Sequence, residues 1–126
     1  MAVWGSGAPR REFVYSDDLA EAALLVAGLS GKDLARAYPA DQPPIINVGA
    51  GADISIKELV ELICQVVGYE GRIEWDPSRP DGTPRKLLDV SRIQALGWTP
   101  KTRLRDGIAK AYAEFLEHHT ENAPVA

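Results

Sequence analysis

The apolar run from Leu19 to Leu29 limits the folds that are open to this chain. It has the length of a helix, but its apolar side chains face nearly all round that helix. Such a helix has to be covered on several sides. Ile45–Gly49 is also continuously apolar, which is the pattern of a strand covered on both faces. These two segments predict a layered α/β fold and require more neighbours than the rest of the chain obviously supplies.

The remaining periodicity predicts short elements around these two. Ser55 and Glu58 form a capping box that opens an amphipathic helix ending at Gly68. Ser16 and Thr102 are predicted N-caps of two further helices. Strands are predicted at residues 2–4, 11–15 and 72–76, a loop at 30–44, a short helix from Asp89 or Ser91 to Leu96, and a frayed tail from Thr120. The predicted fold is therefore α/β, with a small mixed sheet and about four helices.

Composition excludes several classes of function. With 126 residues the chain is one domain or a piece of one. A net charge of −4 argues against a general nucleic-acid binder. No apolar run approaches the roughly 20 residues of a membrane span, and the first residues do not resemble a signal peptide. A single cysteine excludes an internal disulfide and favours the cytoplasm.

The segment from Arg79 to Arg92 is the first candidate site. Asp81-Gly82 predicts a tight turn, because Gly accepts positive φ and Asp can bond its own backbone. Flanking prolines stiffen the segment, so Arg79 and Lys86 are expected to be held in place. Cations and one carboxylate on a stiff loop suit a ligand with phosphates and hydroxyls. The alternative is a solvated basic turn.

Trp4, Arg10, Arg11 and Glu12 form the second candidate group. A Trp face can stack on a base, and an Arg fork can bind a diphosphate through two hydrogen bonds. The alternative is a core Trp beside a surface ion pair.

Other catalytic and cofactor patterns are incomplete. Neither Gly5-Ser6-Gly7 nor Gly49-Ala50-Gly51 has the third glycine of a dinucleotide fingerprint. No Tyr is followed four residues later by Lys. Cys64 is expected to be a helix core residue and the His118-His119 pair structural or exposed, and no cluster has metal-ligand spacing. We therefore predict no catalytic, cofactor-binding or metal-binding residue in this chain.

Several motifs together resemble the GDP-L-fucose synthase family, and the resemblance runs from residue 3 to about residue 117. The blocks that carry it are Trp4–Phe13, Asp17–Ala20, Ile46–Gly51, Ser55–Leu59, Pro80–Asp89 and Leu96–Trp98. Most occur in looser form across extended short-chain dehydrogenases. The Asp81-to-Asp89 block is more specific to the fucose enzymes. Tyr15-Ser16 departs from the family, which usually has Val before its Asp-Asp pair.

The resemblance implies a fold and a function. The chain would be the C-terminal substrate-binding part of an extended short-chain dehydrogenase, a single segment over residues 1–126, with the N-terminal Rossmann domain absent. The family epimerises and reduces GDP-4-keto-6-deoxy-mannose to GDP-L-fucose with NADPH. Its cofactor fingerprint and catalytic residues belong to the N-terminal part, so this chain alone would be inactive. The family also forms homodimers.

The resemblance further implies which residues bind substrate. Trp4, Arg11 and Asp81 match substrate-binding positions of the family by position, and Arg79 and Lys86 are additions that would face the diphosphate. Three alternatives stay open: a segment of another nucleotide-sugar epimerase or dehydratase, a non-catalytic nucleotide-sugar-binding module, and a fragment that folds by pairing with itself.

Overall fold

The computed structural model describes residues 1–38, 41 and 43–120. Within them the chain forms five helices and five short strands. The strands are β1 (Ala2–Trp4), β2 (Arg10–Glu12), β3 (Asp53–Ser55), β4 (Glu74–Asp76) and β5 (Arg85–Lys86). The helices are α1 (Ser16–Gly28), α2 (Gly31–Ala37), α3 (Ile56–Val67), α4 (Ser91–Ala95) and α5 (Leu104–Thr120). The α/β prediction is confirmed, and none of these helices is long and apolar enough to cross a membrane.

The strands form two small sheets. β1 and β4 pair in parallel, with Trp4 opposite Asp76. β2 is the centre of a three-stranded mixed sheet, because it pairs antiparallel with β3 and parallel with β5. The loop after β1 leads directly into β2, so the ends of the two sheets lie close together. This junction carries the candidate site.

The buried core is small and lies between α1 and α4. Among the residues that the structure describes, it consists of Ala22, Val90, Ile93 and Trp98. The side chains of Ile46 and Val48 pack against it but remain partly exposed. With so little apolar burial, polar contacts between loops have an unusually large part in fixing the fold.

The predicted strand at Ile45–Gly49 is wrong, because the segment is irregular in the structure. A buried parallel strand needs backbone partners on both sides, and the described part of the chain supplies none. Side chains hold the segment instead. Asn47 donates a hydrogen bond to the carbonyl of Asp89 (3.1 Å), and Arg92 donates one to the carbonyl of Ile45 (2.8 Å).

The apolar helix is α1, but the prediction that it is buried on several sides is also wrong. Only Asp18 and Ala22 are buried, and Leu24 is 74% exposed. The helix begins at Ser16, and its N-cap is Tyr15 rather than Ser16. Only one face of α1 has a neighbour among the described residues, so its other apolar side chains face outward.

The helix α2 occupies part of the predicted loop. Its N-cap is Ser30, whose hydroxyl oxygen accepts a hydrogen bond from the backbone N–H of Asp33 (3.3 Å). The loop prediction is therefore wrong for residues 31–37. Its remainder at 39, 40 and 42, and the tail prediction for 121–126, lie outside the described residues.

The helix α3 follows its local sequence signals. The hydroxyl of Ser55 accepts from the backbone N–H of Glu58 (3.1 Å), and the Glu58 carboxylate accepts from the backbone N–H of Ser55 (2.9 Å). Gly68 ends the helix in the left-handed conformation, with φ +71°. The predicted capping box and stop are both confirmed.

Asp18 connects the start of α1 to the chain before α5. Its buried carboxylate accepts hydrogen bonds from the backbone N–H groups of Lys101 (3.1 Å) and Thr102 (2.8 Å) and from the Thr102 hydroxyl (3.0 Å). Thr102 therefore serves Asp18 and does not cap α5, which begins at Leu104. Burial alone would raise the pKa of Asp18, but these hydrogen bonds hold it below the ordinary value.

We predict that Asp18→Asn lowers the free energy of unfolding at pH 7 by roughly 2–3 kcal/mol, since hydrogen bonds to a charged group are lost. The pKa of Asp18 is lower in the folded protein than in the unfolded chain. The ionised Asp18 carboxylate therefore stabilises the fold fully at pH values above its unfolded-state pKa, and this stabilisation is lost as the pH falls through its folded-state pKa. Urea unfolding of both proteins should therefore show a difference that narrows on acidification.

The exposed neighbour Asp17 provides the control, because within the described residues its carboxylate accepts a single hydrogen bond, from the Ser16 hydroxyl at 3.4 Å. Asp17→Asn should cost much less. A difference between wild type and Asp18→Asn that stays constant down to acidic pH would contradict the role of the Asp18 charge.

Candidate functional site

Trp4 and Arg79 lie together where the two-stranded sheet ends. Trp4 is the last residue of β1, and its side chain is 71% exposed. The guanidinium carbon of Arg79 lies 5.0 Å from the centre of the indole ring, which is a cation–π contact. Arg79 Nε also lies 3.8 Å from a carboxylate oxygen of Asp76. The structure thus places an aromatic face and a cation at one exposed position.

Arg11 lies on the central strand β2, on the other side of the Gly5–Pro9 loop. Its Nη1 donates to the backbone carbonyls of Arg10 (2.7 Å) and Thr83 (2.6 Å). These bonds fix the guanidinium against the 79–84 segment. Among the described residues, Nη2 and Nε of Arg11 have no hydrogen-bond acceptor, so one side of the fork remains available for an anion.

Asp81 lies between Trp4 and Arg11 and is tied to Ser6. The backbone N–H of Ser6 donates to one carboxylate oxygen of Asp81 (2.8 Å), and the Ser6 hydroxyl donates to the other (2.6 Å). The hydrogen bond from the Ser6 side chain, followed by the one from its backbone, holds the pKa of Asp81 below the ordinary value. The carboxylate is therefore charged at neutral pH and accepts hydrogen bonds only.

The predicted turn at Asp81-Gly82 is wrong. Gly82 does not have a positive φ, and the Asp81 side chain bonds to Ser6 rather than to its own backbone. The turn lies earlier, at Pro77 and Ser78. Asp76 stabilises it by accepting hydrogen bonds from the backbone N–H (3.0 Å) and hydroxyl (2.5 Å) of Ser78. A partner in a neighbouring loop has replaced the local bond that the dipeptide predicts.

Lys86 is exposed and lies beside Arg11 in the sheet. The two residues are direct partners in the parallel pairing of β2 with β5. Partners in such a register place their side chains on the same face. Lys86 therefore adds a second cation next to Arg11.

Three of the predicted residues line one cleft of ≈ 110 Å³, namely Trp4, Arg11 and Asp81. Arg79 covers part of the Trp4 ring, and Lys86 neighbours Arg11 along the sheet. The structure thus brings the five predicted residues to one junction. The cleft itself is smaller than the roughly 300 Å³ at which ligand pockets usually begin, so it encloses only part of a nucleotide sugar.

Sequence reasoning did not identify the contacts that hold this junction in place. Arg10 Nε donates to the carboxylate of Asp53 at 2.8 Å, and Arg85 Nε donates to its other oxygen. The Asp53 side chain is only 6% exposed, and the hydrogen bonds from Arg85 and then Arg10 lower its pKa. These two cations are therefore neutralised within the sheet. Neither Asp53 nor Ser6 belongs to a local pattern that could have revealed its partner.

The two Gly-x-Gly loops do not fit a dinucleotide. A Cβ added to Gly7 would lie 2.7 Å from the Trp75 ring, and one added to Gly49 would lie 2.5 Å from the Glu12 carboxylate. Glu12 also accepts a hydrogen bond from the backbone N–H of Gly51 (2.6 Å). The space that each glycine leaves is filled by the protein itself, and a carboxylate would repel a phosphate at the second loop.

The remaining candidates form no reactive cluster. Cys64 lies within α3, half-buried. His119 stacks on Phe115 with ring centres 4.0 Å apart, and its Nδ1 lies 3.0 Å from the Phe115 carbonyl oxygen. The described residues contain no group of three or more His, Cys, Asp or Glu side chains that could hold a metal ion.

We predict that Gly7→Ala lowers the free energy of unfolding by about 1–3 kcal/mol, because φ is +77° and the new methyl group overlaps Trp75. Gly28→Ala is the control, since nothing lies within 4 Å of its added Cβ. That change should be neutral or slightly stabilising. Denaturant unfolding measures both, and equal stability of the two variants would refute the close contact with Trp75.

Comparison with known proteins agrees with this architecture. Residues 1–49 match the model of the NAD dependent epimerase/dehydratase family. The chain is 48% identical over 120 residues to GDP-L-fucose synthase of Escherichia coli (strain K12), covering 94% of this chain and 36% of that protein. It is 44% identical over 119 residues to GDP-L-fucose synthase 1 of Arabidopsis thaliana, covering 94% and 33%.

A solved structure gives the same relationship. The GDP-6-OMe-4-keto-L-xylo-heptose reductase from C. jejuni matches with a TM-score of 0.82 at 39% identity, covering 96% of this chain and 34% of that one. The chain thus spans about a third of the length of these relatives. Over 94% of its own length it is therefore similar to about a third of a GDP-L-fucose synthase, and residues 1–49 are similar to the NAD dependent epimerase/dehydratase family.

Proposed function

We propose that this chain is the GDP-sugar-binding segment of a GDP-L-fucose synthase-like enzyme. That enzyme epimerises and reduces GDP-4-keto-6-deoxy-mannose to GDP-L-fucose with NADPH. The observation that carries the proposal is the cleft shared by Trp4, Arg11 and Asp81. Identities of 44–48% to GDP-L-fucose synthases support the choice of a GDP-sugar.

Each residue has a role that follows from its chemistry. The exposed Trp4 ring provides a flat face on which a base or sugar stacks. Arg79 packs against the other face of the ring and restricts its rotation. Arg11 presents Nη2 and Nε to the diphosphate, with Lys86 as a second cation beside it. Asp81 accepts hydrogen bonds from sugar hydroxyls, because each of its oxygens keeps a lone pair that Ser6 does not use.

The catalytic chemistry lies outside these residues in this proposal. The sequence has no Tyr-x-x-x-Lys pair, and its two Gly-x-Gly loops are filled by Trp75 and Glu12. We therefore propose that residues 1–126 are a single substrate-binding segment and that a Rossmann domain elsewhere holds NADPH. The GDP-mannoheptose C4 reductase from Campylobacter jejuni, 38% identical, was solved with NADP bound. The isolated chain should show no NADPH-dependent turnover.

The assembly and location are extensions of the same proposal. The family resemblance suggests a homodimer. In such an assembly, other protein surfaces could cover the exposed apolar side chains of α1. We propose the cytoplasm as the compartment, because the single cysteine, Cys64, is unpaired.

We predict that the chain binds GDP more tightly than UDP and that Arg11→Ala weakens GDP binding about 10- to 100-fold. The loss corresponds to one charge-assisted contact with the diphosphate, worth roughly 1.5–3 kcal/mol. Arg11→Lys should be intermediate, because it keeps the charge but not the fork. Calorimetric titration measures all of these affinities.

Arg72→Ala is the matched control, because the Arg72 side chain is 86% exposed and pairs with Glu74 at the start of β4, the end opposite to the one that meets Trp4. Neither residue lines the cleft. It should bind GDP like the wild type. Preference for UDP would instead favour a segment of another nucleotide-sugar epimerase. Equal losses in Arg11→Ala and Arg72→Ala would contradict the assigned site.

A further inference from the structure

Ser6 is a polar residue at the junction that no part of the proposed function uses. It lies in the Gly5–Gly7 loop, where both glycines have positive φ (+83° and +77°). Its hydroxyl donates to Asp81 (2.6 Å) and accepts from the backbone N–H of Ala8 (3.1 Å). Ser6 thus organises its own loop and ties that loop to the 79–84 segment with the same oxygen atom.

The Ser6–Asp81 contact lies between two other side-chain contacts that join residues 4–11 to the 79–84 segment, which the backbone N–H of Arg10 also joins through the Pro84 carbonyl (2.8 Å). On one side, the Trp4 ring lies under Arg79 at 5.0 Å. On the other side, Arg11 Nη1 donates to the Thr83 carbonyl at 2.6 Å. Strand pairing places the backbones of Trp4 and Arg11, and the Ser6–Asp81 contact adds a further constraint on the distance and tilt between the aromatic face and the arginine fork.

Ser6 itself does not line the cleft, whereas Trp4, Arg11 and Asp81 do. Any effect of Ser6 on a ligand must therefore pass through Asp81 or through the loop that follows Trp4. The backbone N–H and the hydroxyl of Ser6 each take one carboxylate oxygen, so they fix the plane of the Asp81 carboxylate. The remaining lone pairs then point in set directions.

We propose that Ser6 is a positioning residue of the nucleotide-sugar site: by clamping the Asp81 carboxylate it sets the spacing between Trp4 and Arg11. This inference rests on the proposed function for its ligand. It assigns Ser6 no contact with the nucleotide sugar. The clamp also explains why Asp81 departs from its predicted turn, because the carboxylate is used across the junction.

If Ser6 had a purely structural role, Ser6→Ala would melt at a much lower temperature than Ser30→Ala. The positioning role predicts a small change instead. The Ser6–Asp81 bonds are exposed, so their loss should change the thermal midpoint only slightly. The chain offers a matched comparison at Ser30, whose hydroxyl donates to the Asp33 carboxylate at 2.6 Å at the exposed start of α2. Ser30→Ala removes the same kind of bond far from the cleft.

The test compares wild type with Ser6→Ala, Ser6→Thr and Ser30→Ala in two measurements. The first is calorimetric titration with GDP and with GDP-L-fucose. Ser6→Ala should weaken both about tenfold, the effect of one hydrogen bond to a charged group. Ser6→Thr keeps the hydroxyl and should recover most of that affinity, while Ser30→Ala should match the wild type.

The second measurement needs no ligand. The indole N–H resonance of Trp4, assigned by its loss in Trp4→Phe, should shift in Ser6→Ala and stay in place in Ser30→Ala, because Arg79 moves relative to the ring. If wild type binds neither nucleotide, the proposed function fails and this resonance alone decides on the clamp.

The inference is overturned if the Trp4 resonance of Ser6→Ala stays at its wild-type position. It is also overturned if Ser6→Thr binds as weakly as Ser6→Ala, or if Ser6→Ala melts far below Ser30→Ala, since Ser6 would then serve stability.

Discussion

Arg10 and Arg85 both donate to the carboxylate of Asp53, and this arrangement joins the three strands of the mixed sheet through their side chains. Each strand is only two or three residues long, too short for its backbone ladder to hold register alone. The Asp53 side chain is almost fully covered, so removal of either arginine would leave a charge with few partners. Arg11, on the central strand, is placed by this arrangement.

Carboxylates have the same task elsewhere in the chain. Asp18 joins α1 to the loop that precedes α5, and Asp81 joins the Gly5–Gly7 loop to the 79–84 segment. Glu12 accepts from the backbone N–H groups of Gly51 and Leu88. Each carboxylate meets donors that are distant in sequence. Where the apolar core is small, such anions replace packing as the means of joining loops. The lowered pKa values of Asp18, Asp53 and Asp81 make the fold sensitive to acid.

Much of the fold could be predicted wherever the determining residues are close in sequence. The Ser55–Glu58 capping box and the Gly68 stop need only neighbouring residues, and both are correct. The strand at Ile45–Gly49 could not be judged locally, because a strand exists only with partners to pair with. The sequence does not predict helix α2, because its N-cap Ser30 opens a stretch whose composition indicates a polar loop.

The site shows the same division. The chemical types of Trp4, Arg11 and Asp81 and a family resemblance were enough to select them, and the structure places them around one cleft. The partner of Asp81 was not predictable, because Ser6 lies in a loop that its own pattern marks only as irregular. The Asp81-Gly82 dipeptide predicts a hydrogen bond between the Asp81 side chain and its own backbone. In the structure the Asp81 carboxylate accepts from the distant hydroxyl of Ser6 instead.

The exposure of Trp4 gives the molecule an optical property. Of its three indoles, Trp98 is 5% exposed and Trp75 is half-buried, whereas Trp4 is 71% exposed beside a cation. A water-soluble quencher such as iodide therefore reaches mainly the indole at the cleft, helped by the positive charge of Arg79. Quenching of the intrinsic tryptophan fluorescence would therefore report, without a label, whether the cleft is open or covered.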